Sequence, residues 1–144
     1  MTKIEGFFLE DLTVGQTASF AKIITESDIV SFSDVSGDTN PLHLDHDYAA
    51  TTMFKGRIAH GMLTAGLISA VIGTRLPGPG CIYVSQTLAF KGPVRIDDMV
   101  TATVTVTEIM AEKSRIRLHC ACTVKDKVVL DGEAVIMVPR RAAA

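Results

Sequence analysis

The chain reads as α+β: an antiparallel β-sheet wrapped around one long central helix. Three observations predict this. From Gly61 to Thr74 there is no charged residue, no proline and no clear polar face, whereas a surface helix would show an apolar stripe opposite a charged one. That segment is therefore a buried helix, about 21 Å long at 1.5 Å per residue. Leu76-Pro77-Gly78-Pro79-Gly80 ends it, because proline and glycine together cannot continue a helix. Beyond Cys81 the chain turns to strands, and the alternation is plainest in Thr101 to Thr107 and in Arg115 to Val124. In the second of these, Ile116, Leu118, Cys120, Cys122 and Val124 alternate with Arg115, Arg117, His119 and Thr123, the period-two pattern of a half-buried antiparallel strand.

In chain order, residues 1 to 15 form a mixed entry segment and Gln16 to Ile24 a first strand. Thr25-Glu26-Ser27-Asp28 resembles a capping box, with Asp in its last position, and opens a short helix to about Val35. A loop from Ser36 to Asp45 follows, then a second short helix from Asp47 to about Met53, which Asp45 is placed to cap. Lys55-Gly56-Arg57-Ile58 turns the chain into the central helix. The segments Ile82 to Lys91 and Val128 to Val138 complete the strands, with hairpin-short connections at Ala111-Glu112-Lys113 and Lys125-Asp126-Lys127. The tail from Arg140 to Ala144 is expected to be disordered.

Composition sets limits. The 144 residues suit one domain spanning 1–144, 47% hydrophobic content is ample for a core, and a formal charge of -2 gives no reason to expect nucleic acid. The longest uncharged apolar run is too short to span a bilayer, and Met1 to Glu10 lacks the basic-then-apolar order of a signal peptide, so a cytoplasmic protein is expected. The three cysteines are an odd number, and Cys120 and Cys122 fall side by side on one strand face rather than in bridging positions. With no Cys or His ligand cluster visible in the sequence, no metal is expected.

The loop Ser36 to Asp45 reads S-G-D-T-N-P-L-H-L-D. Regular structure cannot make Asp38 and His43 converge, since their spacing puts them about 140° apart on a helix and on opposite faces of a strand. A turn can, and Gly37 with Asn40-Pro41 supplies one. Two readings stand side by side: Asp38 and Asn40 close the turn while His43 is packed and hydrogen-bonded, or Asp38 and His43 hold a water between them as a general acid/base pair. The central helix starts at His60-Gly61, where unpaired N–H groups and the positive end of the helix dipole meet any ligand. Gly61 has no side chain to keep a carbonyl oxygen from its N–H, an oxyanion-hole arrangement; it equally suits a tightly packed helix start. His60 is expected to hold the helix start by hydrogen bonding. His46 and His119 are read as solvated.

The D-x-N-P-x-H-x-D pattern at Asp38, Asn40, Pro41, His43 and Asp45, followed by A-H-G-M from Ala59 to Met62, resembles the MaoC-like R-specific enoyl-CoA hydratases over about Val14 to Pro139. The resemblance implies a hotdog fold, a homodimer or higher homo-oligomer, no cofactor, and reversible hydration of trans-2-enoyl-CoA of short to medium chain to the (R)-3-hydroxyacyl-CoA, a precursor of polyhydroxyalkanoate. It makes Asp38 and His43 the catalytic dyad, Asn40 a supporting polar residue, the Gly61 N–H the thioester oxyanion donor, and Ser69 a polar active-site residue. Lys55, Arg57 and Lys91 are candidate contacts for CoA phosphates. The competing readings are a hotdog acyl-CoA thioesterase and a non-catalytic acyl-CoA-binding module.

Overall fold

This computed structural model describes residues 4–142. Five strands run in the order β1-β4-β5-β6-β2, every neighbouring pair antiparallel, and a two-residue strand, β3, pairs with β6 beside β2. The strands are β1 (Thr17–Ile23), β2 (Ile82–Gln86), β3 (Ala89–Phe90), β4 (Met99–Met110), β5 (Arg115–Val124) and β6 (Lys127–Met137). The helices are α1 (Glu26–Ser36), α2 (Pro41–Leu44), α3 (His46–Ala50) and α4 (Gly61–Thr74). Helix α4 lies across the concave face of the sheet, packing against β1, β4, β5 and β6.

Period-two patterning does the work it predicts. On β4, Val100, Ala102, Val104 and Val106 are buried; on β5, so are Ile116, Leu118, Cys120 and Cys122. The register sets Ala102 opposite Cys122, Val104 opposite Cys120 and Val106 opposite Leu118, so one continuous apolar face meets Leu67, Ile68, Val71 and Ile72 of α4. The β5–β6 hairpin turns at Lys125 and Asp126, both with positive φ (49° and 66°), the type of two-residue turn that matches strand twist. The capping box closes in both directions: the Thr25 N–H donates to Asp28 Oδ2 (3.0 Å) and the Asp28 N–H to Thr25 Oγ1 (3.1 Å). Asp45 caps α3 through the Tyr48 N–H (3.0 Å).

Four expectations need correction. The strand expected over Ile82 to Lys91 is broken at Thr87-Leu88, because Thr87 is pinned across β6: its N–H donates to the Glu133 carbonyl (2.8 Å) and its hydroxyl accepts from the Glu133 N–H (3.0 Å). The helix expected over Asp47 to Met53 is shorter and starts earlier, at His46, with turns from Thr51 onward; an extra helical turn, α2, forms inside the loop. Helix α4 is not buried all round, since Met62, Gly66, Ser69 and Gly73 stand on an exposed face opposite the sheet. The tail is held as far as Arg141, where Arg140 Nε donates to Ser114 Oγ (2.7 Å) and the Arg141 guanidinium pairs with Asp11. Ala143 and Ala144 lie outside the described residues. Among the described residues no helix is long and apolar enough to cross a membrane.

Candidate active site

Helix α1 ends at Gly37, whose φ of 80° is a left-handed C-cap closed by its N–H on the Ser33 carbonyl (2.9 Å). The reversal delivers Asp38 into a tight turn. The Asn40 N–H donates to Asp38 Oδ1 (3.2 Å), and Asn40 Oδ1 in turn accepts from the Leu42 N–H (3.0 Å), capping α2 with Pro41 at its first position. Asn40 is thus committed to shaping the loop. One turn of α2 is enough to carry His43 back beneath the loop, where it is 8% exposed while Asp38 remains exposed.

His43 Nδ1 lies 2.8 Å from the Ile58 carbonyl, which can only accept, so Nδ1 carries the proton and Nε2 presents a lone pair. Arg57 Nε donates to the His43 carbonyl (2.7 Å) and its Nη1 pairs with Glu26 (2.5 Å). Arg57 therefore buttresses the His43 main chain rather than waiting for a phosphate. Lys91 is on the cavity wall, paired with Asp131 at 3.0 Å, and Lys55 stands exposed with φ of 60°.

A carboxylate oxygen of Asp38, a ring nitrogen of His43 and a ring nitrogen of His60 lie within 4.8 Å of one another. Two groups sharing one water at about 2.8 Å each, at a near-tetrahedral angle, stand about 4.6 Å apart, so this spacing suits a bridging water. Three potential metal ligands are also close together here, a cluster the sequence does not reveal. Two of their nitrogens are already engaged by protein carbonyls, and the His43 and His60 rings lie with centroids 3.9 Å apart and planes inclined by 32°.

His60 is 2% exposed. It does not cap α4 with its side chain. Its Nε2 reaches back instead to Ser33 Oγ (3.0 Å) and the Asp38 carbonyl (3.1 Å), and its ring also meets Phe32 at 4.7 Å. Burial holds its proton affinity below that of an ordinary histidine, against a smaller opposing pull from the Asp38 carbonyl.

Gly61 follows at the first position of α4, where its N–H has no acceptor within the helix. The Phe90 ring closes over it so tightly that a Cβ would sit 2.5 Å from Phe90 Cε1. The position is tightly packed, and at the first position of α4 its N–H has no acceptor within the helix. Beside it lies a cavity of about 390 Å³, in the size range of small-molecule sites, whose wall includes Ile58, Ala59, Thr64, Val94 and Leu130.

Ser69 is not on that wall. It stands on the exposed face of α4, about 140° around the helix from Thr64 at 100° per residue. Thr64 and Phe90 are among the wall residues that sequence reasoning missed. Thr64 was in principle findable, being three residues after Gly61 and so on the same face; its hydroxyl is buried with no hydrogen-bond partner. Phe90 arrives from a strand far along the chain and leaves no local signal.

Residues 11–128 match the model of the MaoC like domain. The chain belongs to the MaoC-like family. It is 62% identical over 134 residues to a protein of Rhodospirillum rubrum named (R)-specific enoyl-CoA hydratase, with 93% of each chain covered. It is 53% identical to a 3-hydroxybutyryl-CoA dehydratase of Methylorubrum extorquens, across the whole of this chain and 92% of that one. Among solved structures, an R-hydratase of Pseudomonas aeruginosa in unliganded form superposes with a TM-score of 0.90 at 47% identity, covering 96% of this chain and 89% of the other. The sheet wrapped on α4 is accordingly the hotdog fold of this MaoC-like group.

Proposed function

We propose that the chain is an R-specific enoyl-CoA hydratase, adding water reversibly to trans-2-enoyl-CoA to give the (R)-3-hydroxyacyl-CoA, with Asp38 and His43 as its acid/base pair. The observation that carries this reading is the approach of the Asp38 carboxylate and a His43 nitrogen to within 4.8 Å, beside the Gly61 N–H at the start of α4 and an apolar cavity. The chemistry needs three things, and each has a candidate. A water held between the pair loses a proton to it, and the hydroxyl adds to the β-carbon. Negative charge develops on the thioester oxygen, where the Gly61 N–H and the positive end of α4 receive it; one such donor is worth about 3 kcal/mol in a transition state. The proton then returns to the α-carbon on the same face, leaving the pair as it began. The product, of short to medium chain for a cavity of this size, is a polyhydroxyalkanoate precursor, and the reaction requires neither cofactor nor metal.

The enzyme works as a cytoplasmic homodimer on this reading. The exposed face of α4, with Met62 and Ser69, and the outer strand β2, with Ile82, Tyr83 and Val84 all at least 40% exposed, are the surfaces a second copy would cover. Ser69 would then approach substrate through the assembly rather than within its own protomer. A mass in analytical ultracentrifugation twice that of the 15.4 kDa chain is expected, and the mass of a single chain would remove this part of the reading.

The experiment that tests the activity follows crotonyl-CoA by ultraviolet absorbance while a thiol reagent monitors free CoA. Loss of conjugation without thiol release, reduced by about 10³-fold in His43→Ala, is the expected result. Thiol release would identify a thioesterase. Binding of crotonyl-CoA with no change in either signal would identify a non-catalytic module.

A further inference from the structure

We infer that His60 is a positioning residue, an imidazole that holds the Asp38 main chain, the His43 ring and the Gly61 N–H in one fixed arrangement. The inference rests on the hydratase reading and assigns it a residue outside the dyad. Three contacts carry it. His60 Nε2 is 3.1 Å from the Asp38 carbonyl and 3.0 Å from Ser33 Oγ, so one N–H ties the loop carrying Asp38 to helix α1. Its ring lies against that of His43, with centroids 3.9 Å apart and planes inclined by 32°. Its own carbonyl carbon is bonded to the Gly61 nitrogen, so fixing His60 fixes the direction in which the Gly61 N–H points.

The tautomer follows from the partners. A carbonyl oxygen only accepts, so the proton is on Nε2, with the serine hydroxyl sharing it. Nδ1 is then a bare lone pair, buried and without a partner. A second proton there would become a buried donor with no acceptor, and burial already lowers the basicity of this ring. The unpaired Nδ1 costs stability, whereas Nε2 partners the buried Ser33 hydroxyl and the Asp38 carbonyl, so what the imidazole supplies here is a fixed contact to the loop that carries Asp38.

The test compares His60→Phe, which keeps the ring and loses the N–H, with His60→Gln, which returns an amide N–H near the position of Nε2. With crotonyl-CoA, His60→Phe is expected to lower kcat about 100-fold, as a displacement of the reacting groups by about 1 Å would, with KM within about twofold and the melting temperature lowered by about 5 °C because the buried Ser33 hydroxyl loses its partner. His60→Gln is expected to recover most of that loss. In the wild type, long-range proton–nitrogen NMR at pH 8.5 should show the His60 proton on Nε2 rather than Nδ1. A fully active His60→Phe, equal collapse of melting temperature in both variants, or an Nδ1-protonated His60 overturns the inference. A wild type that does not hydrate crotonyl-CoA overturns the hydratase reading and this inference with it, whereas hydration by wild type and His60→Phe alike overturns the inference alone.

Discussion

Asp38→Asn is expected to lower kcat for crotonyl-CoA hydration by about 10³-fold, within the range that a positioned acid/base group supplies. The substitution is nearly isosteric. The new amide oxygen can still accept the Asn40 N–H that Asp38 Oδ1 receives at 3.2 Å, so the turn and the cap of α2 behind it survive. Asp38 is also exposed, where a substitution costs about 0.5 kcal/mol or less, so the melting temperature should move by about 2 °C at most. What is lost is the negative charge and, on the proposed mechanism, the ability to exchange a proton with a water held beside His43. Steady-state kinetics alongside thermal unfolding separates these effects. A variant with wild-type kcat would show that the carboxylate merely closes the turn and would remove Asp38 from the acid/base pair.

The second large effect is on stability. Gly132 lies on β6 where the chain between β2 and β3 passes directly over it, and a Cβ there would stand 1.8 Å from the Thr87 carbonyl oxygen and 2.6 Å from its carbon. Those atoms are backbone, held by the two hydrogen bonds between Thr87 and Glu133. Gly132→Ala should therefore displace the main chain, costing about 3 kcal/mol and lowering the melting temperature by about 10 °C. Because β3 brings Phe90 over Gly61, activity should fall below wild type even at temperatures where the variant is folded. An unchanged melting temperature would mean that the segment relaxes freely, and the tight crossing would not constrain the fold.

The same crossing shows why some of the molecule was legible in the sequence and some was not. The alternation in β4 and β5 was readable because each strand is buried on one face only, so a local pattern reports a local environment. The convergence of Asp38 and His43 was partly readable, because Gly37 and Asn40-Pro41 announce the turn, whereas the helical turn α2 that carries His43 back was not foreseen. The break at Thr87 depends on a glycine 45 positions away, and the contact of His60 with Ser33 spans 27, so neither leaves a nearby trace. Helix α4 was misjudged as buried all round for another reason. Its outer face is built of small and apolar residues with no charge, so no polar stripe marks which side meets the sheet.

The three cysteines carry a practical consequence. Cys120 and Cys122 are fully buried, and burial raises their thiols to about 11 and about 12; the partly buried Cys81 is raised as well. Thiolate is the reactive form, so near neutral pH these side chains are almost inert. The protein should consequently behave as a nearly silent background toward aromatic disulfides and mild oxidants, needing no reductant in storage. Any thiol titrated during turnover would then originate in the substrate, which makes slow side-hydrolysis measurable down to a small fraction of the hydration rate.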